Sequence, residues 1–399
     1  MKHKVFTALA DQMLYSGGTF IFFVCLANVE GELTLGAYSL CLATAIFFQG
    51  IQRNLVSIPL SISDDMSDEL ISSLNQTSIL SSLIIGLVSS SIIAVFCYVN
   101  SLDIVKWASY YLLLSLSLWS YEFKRRLLWR RTDYSNILKL CGGYSLLLIA
   151  FGSVLYFLSV EIIYAYPLAF VVAAALIKTN VKVNWSYDRY FVTKQLKRQR
   201  YEILSGFAFG GYNNLLIISS GFVFGPSMVA LLSVARNLLQ PVQVLISAVD
   251  SFDKVDSSKK YHSSGKSALL KSLMRSMAIV AVIAAPYMAL TVSFSEEINQ
   301  LLYSGKYSDL VEILLPFSLA YILMIVGHFL ENALYITKMA KSLFFNRIIC
   351  AFLAQAFLVI SISYIGVVAM PSSMAVGWLV IVILTLRKIT DIERDYQNQ

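Results

Sequence analysis

A bundle of membrane-spanning α-helices is the fold this sequence predicts, and three observations predict it. Hydrophobic residues make up 57% of the 399 and charged residues 14%, mean hydropathy is +0.69, and the apolar residues fall in long runs separated by short polar turns. A water-soluble fold of this length carries far more charge. In hydrocarbon the backbone must satisfy its own polar groups, which leaves helices or closed barrels, and unbroken runs select helices over alternating strands.

Crossing roughly 30 Å of hydrocarbon takes about 20 residues. Runs of that order fall near 7–28, 35–60, 76–98, 104–121, 135–158, 160–178, 201–223, 226–249, 270–292, 309–332, 343–364 and 366–386. The first follows Met-Lys-His-Lys like a signal peptide, but Asp11 and Gln12 interrupt it and no small-residue cleavage site follows, so it reads as a retained span. Charge in the turns supports a count of about twelve. With the first residue in the cytoplasm, the inner turns carry Lys124, Arg125, Arg126, Arg130 and Arg131, then Lys178 to Arg200, then Lys254, Lys259, Lys260 and Lys266, then Lys338 and Lys341. Of 31 basic residues only Lys106 and Lys306 fall near the outer face, as expected when Lys and Arg concentrate on the cytoplasmic side of short loops. The acidic inner turn Asp64-Asp65-Met66-Ser67-Asp68-Glu69 is an exception that weighs little, because acidic residues contribute little to this rule.

The longest inner turn divides the chain into a six-helix lobe at 1–178, a basic cytoplasmic linker at 179–200, a second six-helix lobe at 201–388 and a cytoplasmic tail at 389–399. Six is even, so both lobes enter from the same side, as in transporters built from parallel repeats around a central cavity. Gly17-Gly18 and Gly210-Gly211 are offset by 193, and Gly31 and Gly225 by 194, which echoes such a repeat, although Gly142-Gly143 is a pair outside the pattern.

Composition excludes other classes. A net charge of +7 on so apolar a chain reflects where its loops sit and does not call for nucleic acid. The five cysteines show neither CxxC nor Cys/His metal spacing, so no disulfide, metal or cofactor is expected. Gly265-Lys266-Ser267 looks like the end of a phosphate-binding loop, but Lys260 stands where its first glycine belongs. With three histidines, no HExxH and no nucleophile elbow, the chain does not read as an enzyme.

The stretch Ala8-Leu9-Ala10-Asp11-Gln12-Met13-Leu14-Tyr15-Ser16-Gly17-Gly18-Thr19-Phe20, followed by Leu35-Gly36-Ala37-Tyr38 and Gln49-Gly50-Ile51-Gln52-Arg53-Asn54, resembles polysaccharide (O-antigen- or capsule-type) flippases. These belong to the multidrug/oligosaccharidyl-lipid/polysaccharide exporter superfamily. The likeness is specific over about the first 60 residues and architectural beyond them, with the Gly225-Pro226 turn before the eighth span in keeping. It implies two lobes around a cavity that opens alternately to each side of a bacterial inner membrane. The implied cargo is a lipid-pyrophosphate-linked glycan, and the implied partners are membrane lipids and glycan-polymerising or other biosynthetic proteins.

Charged side chains near the bilayer centre cost about 2.5–3.5 kcal/mol on insertion scales, so those that persist face a cavity or a partner. Arg236 lies about ten residues past Pro226, on the order of 15 Å into the eighth span. It is either a cavity guanidinium that forks onto a cargo phosphate or a hydrogen-bonding tie between helices. Arg53 either binds cargo or reaches lipid phosphates at the inner surface. Asn213 and Asn214, in mid-seventh span, suit sugar hydroxyls or an ion, or equally helix packing beside Gly206-x-x-x-Gly210. Asp11 and Gln12, close to a helix N-terminus, need no task there, but an ion-coupling or gating role is the sharper reading. His328 and Glu331, spaced i, i+3, share a face as a proton-sensitive pair or as interfacial residues.

The function these readings favour is flipping of a lipid-linked glycan, driven by an ion gradient or the membrane potential. A cation-coupled multidrug exporter of the same superfamily is the alternative within transport. A membrane-embedded glycan polymerase or ligase is the alternative of another class, and the outer turn at 293–308 is short for it.

Overall fold

The computed structural model describes residues 2–57, 60, 68–179 and 200–397. The linker expected at 179–200 and the acidic turn expected at 64–69 fall almost wholly outside the described residues. Those described are helical and contain no strand.

In chain order the helices are α1 (Lys2–Val29), α2 (Glu32–Gln52), α3 (Asp68–Val99), α4 (Ile104–Arg130), α5 (Tyr134–Phe157) and α6 (Ala165–Leu176). There follow α7 (Arg200–Gly211), α8 (Asn214–Phe224), α9 (Pro226–Leu238), α10 (Gln240–Ser293), α11 (Ser295–Tyr303), α12 (Leu310–Ile336), α13 (Ala340–Ile365) and α14 (Ala369–Gln397). Local sequence accounts for several ends. Asp103 and Asp133 accept the backbone N–H groups of Lys106 and Asn136 at 3.0 and 3.2 Å, meeting donors that the first turns of α4 and α5 leave without intrahelical partners. Pro226 opens α9 at the one position where its missing N–H costs nothing. A π-helical turn, Arg53–Ser57, ends α2.

Among the described residues seven stretches are individually long and apolar enough to cross a membrane, and nine if two bent helix pairs each count as one span. One of the seven, Ala340–Thr390, contains α13 and most of α14. The pairs are α7 with α8, bent by 44°, and α9 with the start of α10, bent by 50°. The seventh and eighth spans, expected as straight runs, are therefore broken. The 12-residue α6 and the Tyr-, Ser- and Trp-rich α4 occupy expected stretches without entering that tally. The segment expected as an outer turn at 293–308 forms the short helix α11.

Two compact units form, one of Met1–Phe207 with Ile218–Ala230, the other of Ala208–Ile217 with Leu231–Gln399. In the first, α1 packs on α5, α3 on α4, and α6 on both α4 and α5. Its core is aromatic: Tyr144 stacks on Phe170 at 4.5 Å and on Tyr15 at 5.3 Å, and the Tyr144 hydroxyl meets Thr19 at 3.3 Å. The hairpin Ile218–Ala230 joins this unit at close range, since a Cβ on Gly36 of α2 would stand 1.8 Å from the Pro226 carbonyl oxygen. Gly225 ahead of it turns the chain at φ +81°, a conformation that side chains with a Cβ resist.

In the second unit α12 packs on α10 and α14, with α13 against α14. Tyr212 meets Trp378 edge-on at 5.2 Å. A similar close contact occurs inside each unit. A Cβ on Gly18 of α1 would lie 2.7 Å from the Ser145 Cβ of α5, and one on Gly211 of α7 would lie 2.7 Å from the Ala351 Cβ of α13. First against fifth span, and seventh against eleventh, thus close on the same small residues. Large apolar side chains such as Val88 and Phe352 stand 65% and 73% exposed on the helix faces, as suits a surface solvated by lipid.

Candidate functional site

Both span breaks of the second unit lie beside the same group of polar side chains. Arg236 is in the last turn of α9, three residues before the bend at Leu239, and Asn214 is the first residue of α8. The Arg236 Nη1–H donates to Asn214 Oδ1 at 2.9 Å, and the guanidinium also reaches the hydroxyl of Tyr321 on α12. Gln243, just past the bend, donates from Nε2 to the same hydroxyl at 3.0 Å. Asn213 turns back to donate to the Phe209 carbonyl at 2.9 Å, while Gln355 of α13 donates to the Gly211 carbonyl at 3.0 Å. The carbonyls freed where α7 ends are thereby met. Non-helical backbone at membrane depth persists only where protein or a cavity surrounds it, and discontinuous helices of this kind build transporter binding sites. Among the described residues no carboxylate pairs with Arg236.

Asp11, Glu122, Glu331 and Asp250 are matched elsewhere. Asp11, 1% exposed, receives Arg125 bidentately, Nε to Oδ1 at 3.0 Å and Nη2 to Oδ2 at 2.6 Å. Trp129 and Cys141 add donors at 3.1 and 2.6 Å, and Glu122 binds Arg125 and Arg126 alongside. In the second unit Glu331, also 1% exposed, takes Arg347 at 2.7 and 2.8 Å, and that guanidinium lies 4.9 Å from the Phe209 ring. Asp250 accepts from Lys254 Nζ and from Asn332 Nδ2, both at 2.7 Å. His328 Nε2 stands 3.2 Å from Asp250 Oδ1, an electrostatic approach without hydrogen-bond alignment.

No protein-family model and no curated protein matches the sequence. Solved structures do match over nearly the whole chain. An inward-facing multidrug resistance MATE family transporter of the MOP superfamily superposes with a TM-score of 0.75 at 15% identity, over 96% of each chain. The fold is that of the MATE transporters. An outward-facing structure of such a transporter matches with a TM-score of 0.60 at 15% identity, over 98% of this chain and 97% of the other. A MOP superfamily transporter from Pyrococcus furiosus, described as having a binding pocket of reversed polarity that suggests a different function, matches with a TM-score of 0.58 at 15% identity, over 98% and 95%.

Within this MATE fold the residues singled out from the sequence separate. Arg236 and Asn214 are in contact, with Asn213 adjacent. Arg53 stands exposed in the π-helical turn of the first unit, its own backbone N–H closing the end of α2. Gln12 is half-buried. His328 and Glu331 do not pair with each other, because each has a stronger partner on another helix: Asp250 for the one, Arg347 for the other. Asp11 is held by a guanidinium, a firmer anchor than the helix dipole. Sequence reasoning missed Arg125, Arg347, Asp250, Tyr321 and Gln243. A signal existed for Arg347, which lies inside an expected span and so demanded a partner.

Proposed function

We propose that this chain is a membrane transporter of the MATE fold that moves an anionic, lipid-linked cargo outward by alternating access, with a lipid-pyrophosphate-linked glycan precursor as the specific substrate. The carrying observation is the charge balance at the broken spans. Among the described residues Asp11, Glu122, Glu331 and Asp250 each meet a cation, whereas Arg236 meets only the neutral oxygens of Asn214 and Tyr321. A planar guanidinium with N–H groups to spare forks onto phosphate oxygens, and amide side chains nearby suit sugar hydroxyls. An ion gradient or the membrane potential supplies the drive. Membrane lipids deliver the cargo from the inner leaflet, and glycan-polymerising proteins receive it outside.

The second reading, cation-coupled export of multidrug type, is the one that the descriptions of the solved neighbours support better. A cationic drug, however, wants acidic cavity walls, and the reversed pocket polarity described for the Pyrococcus furiosus protein is a precedent for another cargo on this fold.

Binding separates the two. The purified chain is titrated with polyprenyl pyrophosphate and, in parallel, with a lipophilic cationic dye, using wild type and Arg236→Gln. A charge-assisted hydrogen bond contributes about 1.5–3 kcal/mol, so the substitution weakens pyrophosphate binding on the order of 10- to 100-fold. Undiminished pyrophosphate affinity in Arg236→Gln removes Arg236 from the site; dye binding by both proteins while pyrophosphate binds neither hands the function to the multidrug reading.

A further inference from the structure

Helix α10 is two arms in one. At Gly265 the backbone takes φ 76° and ψ −166°, and the segments on either side return antiparallel, so that residue 253 meets 276 and residue 257 meets 272. What holds the arms together near the turn is polar. Asp253, 3% exposed, accepts at Oδ1 from the Ser276 hydroxyl at 2.5 Å and from the Ser257 hydroxyl at 3.2 Å. Its other oxygen, Oδ2, is fully enclosed and has no hydrogen-bond partner among the described residues.

Two lysines on the same arm pair with other carboxylates. Asp250 takes Lys254 at 2.7 Å, and Asp256 takes Lys260 at 2.6 Å. Lys260 also donates to Ser272 at 3.0 Å, occupying that hydroxyl. Among the described residues Asp253 has no cationic partner. A carboxylate withdrawn from water with one oxygen unmet is unfavourable and calls for a compensating positive charge.

We propose that Asp253, Ser257 and Ser276 form a binding site for one sodium ion between the two arms of α10. A hard cation takes oxygen ligands; two hydroxyls that donate to Oδ1 keep lone pairs to offer, and Oδ2 supplies the third oxygen. One positive charge cancels the single carboxylate, whereas divalent sites gather more acidic ligands. Burial raises the Asp253 carboxyl above the usual aspartate range, against the pull of the serine hydrogen bonds, which makes a proton the competitor for this position. Bound sodium pins the eighth span to the ninth at the turn that joins them. The proposal is independent of the cargo.

The test is thermal unfolding of the purified full chain at fixed pH, in sodium chloride against choline chloride of equal concentration. A ligand that binds only the folded state raises the melting temperature as its concentration rises. Wild type gains a saturable, sodium-specific rise; Asp253→Asn and Ser276→Ala each lose it while still unfolding cooperatively in choline. Ser276→Ala keeps the carboxylate, so the comparison survives if Asp253→Asn does not fold. Equal melting of wild type in both salts overturns the site, as does a sodium-specific rise that persists in either variant. A wild-type transition that follows pH but ignores sodium also overturns it and assigns the position to a proton.

Discussion

Removing the guanidinium of Arg347 leaves Glu331, 1% exposed, with its charge facing an aromatic and aliphatic interior. Stripping one member from a buried pair costs about 3–5 kcal/mol, whereas exchanging both for apolar residues of similar volume is often neutral. Arg347→Met is therefore expected to destabilise the chain by about that amount, and adding Glu331→Met to recover most of it. Chemical unfolding in detergent measures both; a double variant as unstable as the worse single one contradicts the account. The same logic covers Asp11 with Arg125 in the first unit, where two further donors reach the carboxylate. At this scale the sequence announced that charges inside spans need partners, but not which ones. Asp11 and Arg125 are 114 positions apart, and His328 with Glu331 looked like a pair only because helical spacing is visible along one helix while contacts between helices are not.

At the scale of elements, apolar run length pointed to an all-helical chain with several membrane-length helices, because hydrocarbon fixes both their length and their internal hydrogen bonding. The count of twelve is not reproduced among the described residues, where seven to nine stretches qualify. Run length did not place the breaks. The 50° bend did have a local cause in Pro241, which has no N–H to continue the helix and whose ring clashes with the preceding turn. The 44° bend at Gly211-Tyr212-Asn213-Asn214 has no such residue and is sustained by side-chain donors from elsewhere, such as Gln355 onto the Gly211 carbonyl. Gly265, read from sequence beside a failed phosphate-loop pattern, is the left-handed turn between the arms of α10. The hairpin Ile218–Ala230 gives the element-level prediction. With 1.8 Å from a Gly36 Cβ to the Pro226 oxygen, Gly36→Val forces two backbones apart, and neither is a flexible side-chain end that yields cheaply. Overpacking of this kind typically costs about 1–3 kcal/mol. A cysteine placed at position 229, where Val229 is 0% exposed, is expected to gain labelling in the Gly36→Val background; unchanged labelling argues that the contact is dispensable.

For the whole molecule, composition and turn charge pointed to a polytopic helical bundle, and the match to MATE structures over 96% of the chain agrees with that class. Within each unit a glycine closes on a small residue of a later helix, Gly18 on Ser145 and Gly211 on Ala351. Cargo was less legible, because it depends on which charges remain after the others have found partners, and that difference emerges only when the helices are assembled. Among the described residues Arg236, with Asn214, is the cation that remains at the broken spans. The most direct test of what it serves is reconstitution in liposomes carrying a lipid-pyrophosphate-linked glycan in one leaflet, with an ion gradient imposed and the glycan's arrival in the other leaflet followed by a membrane-impermeant probe. Protein-dependent arrival that Arg236→Gln abolishes is the predicted result; vesicles that leave the glycan in its original leaflet yet carry a cationic dye across contradict the account.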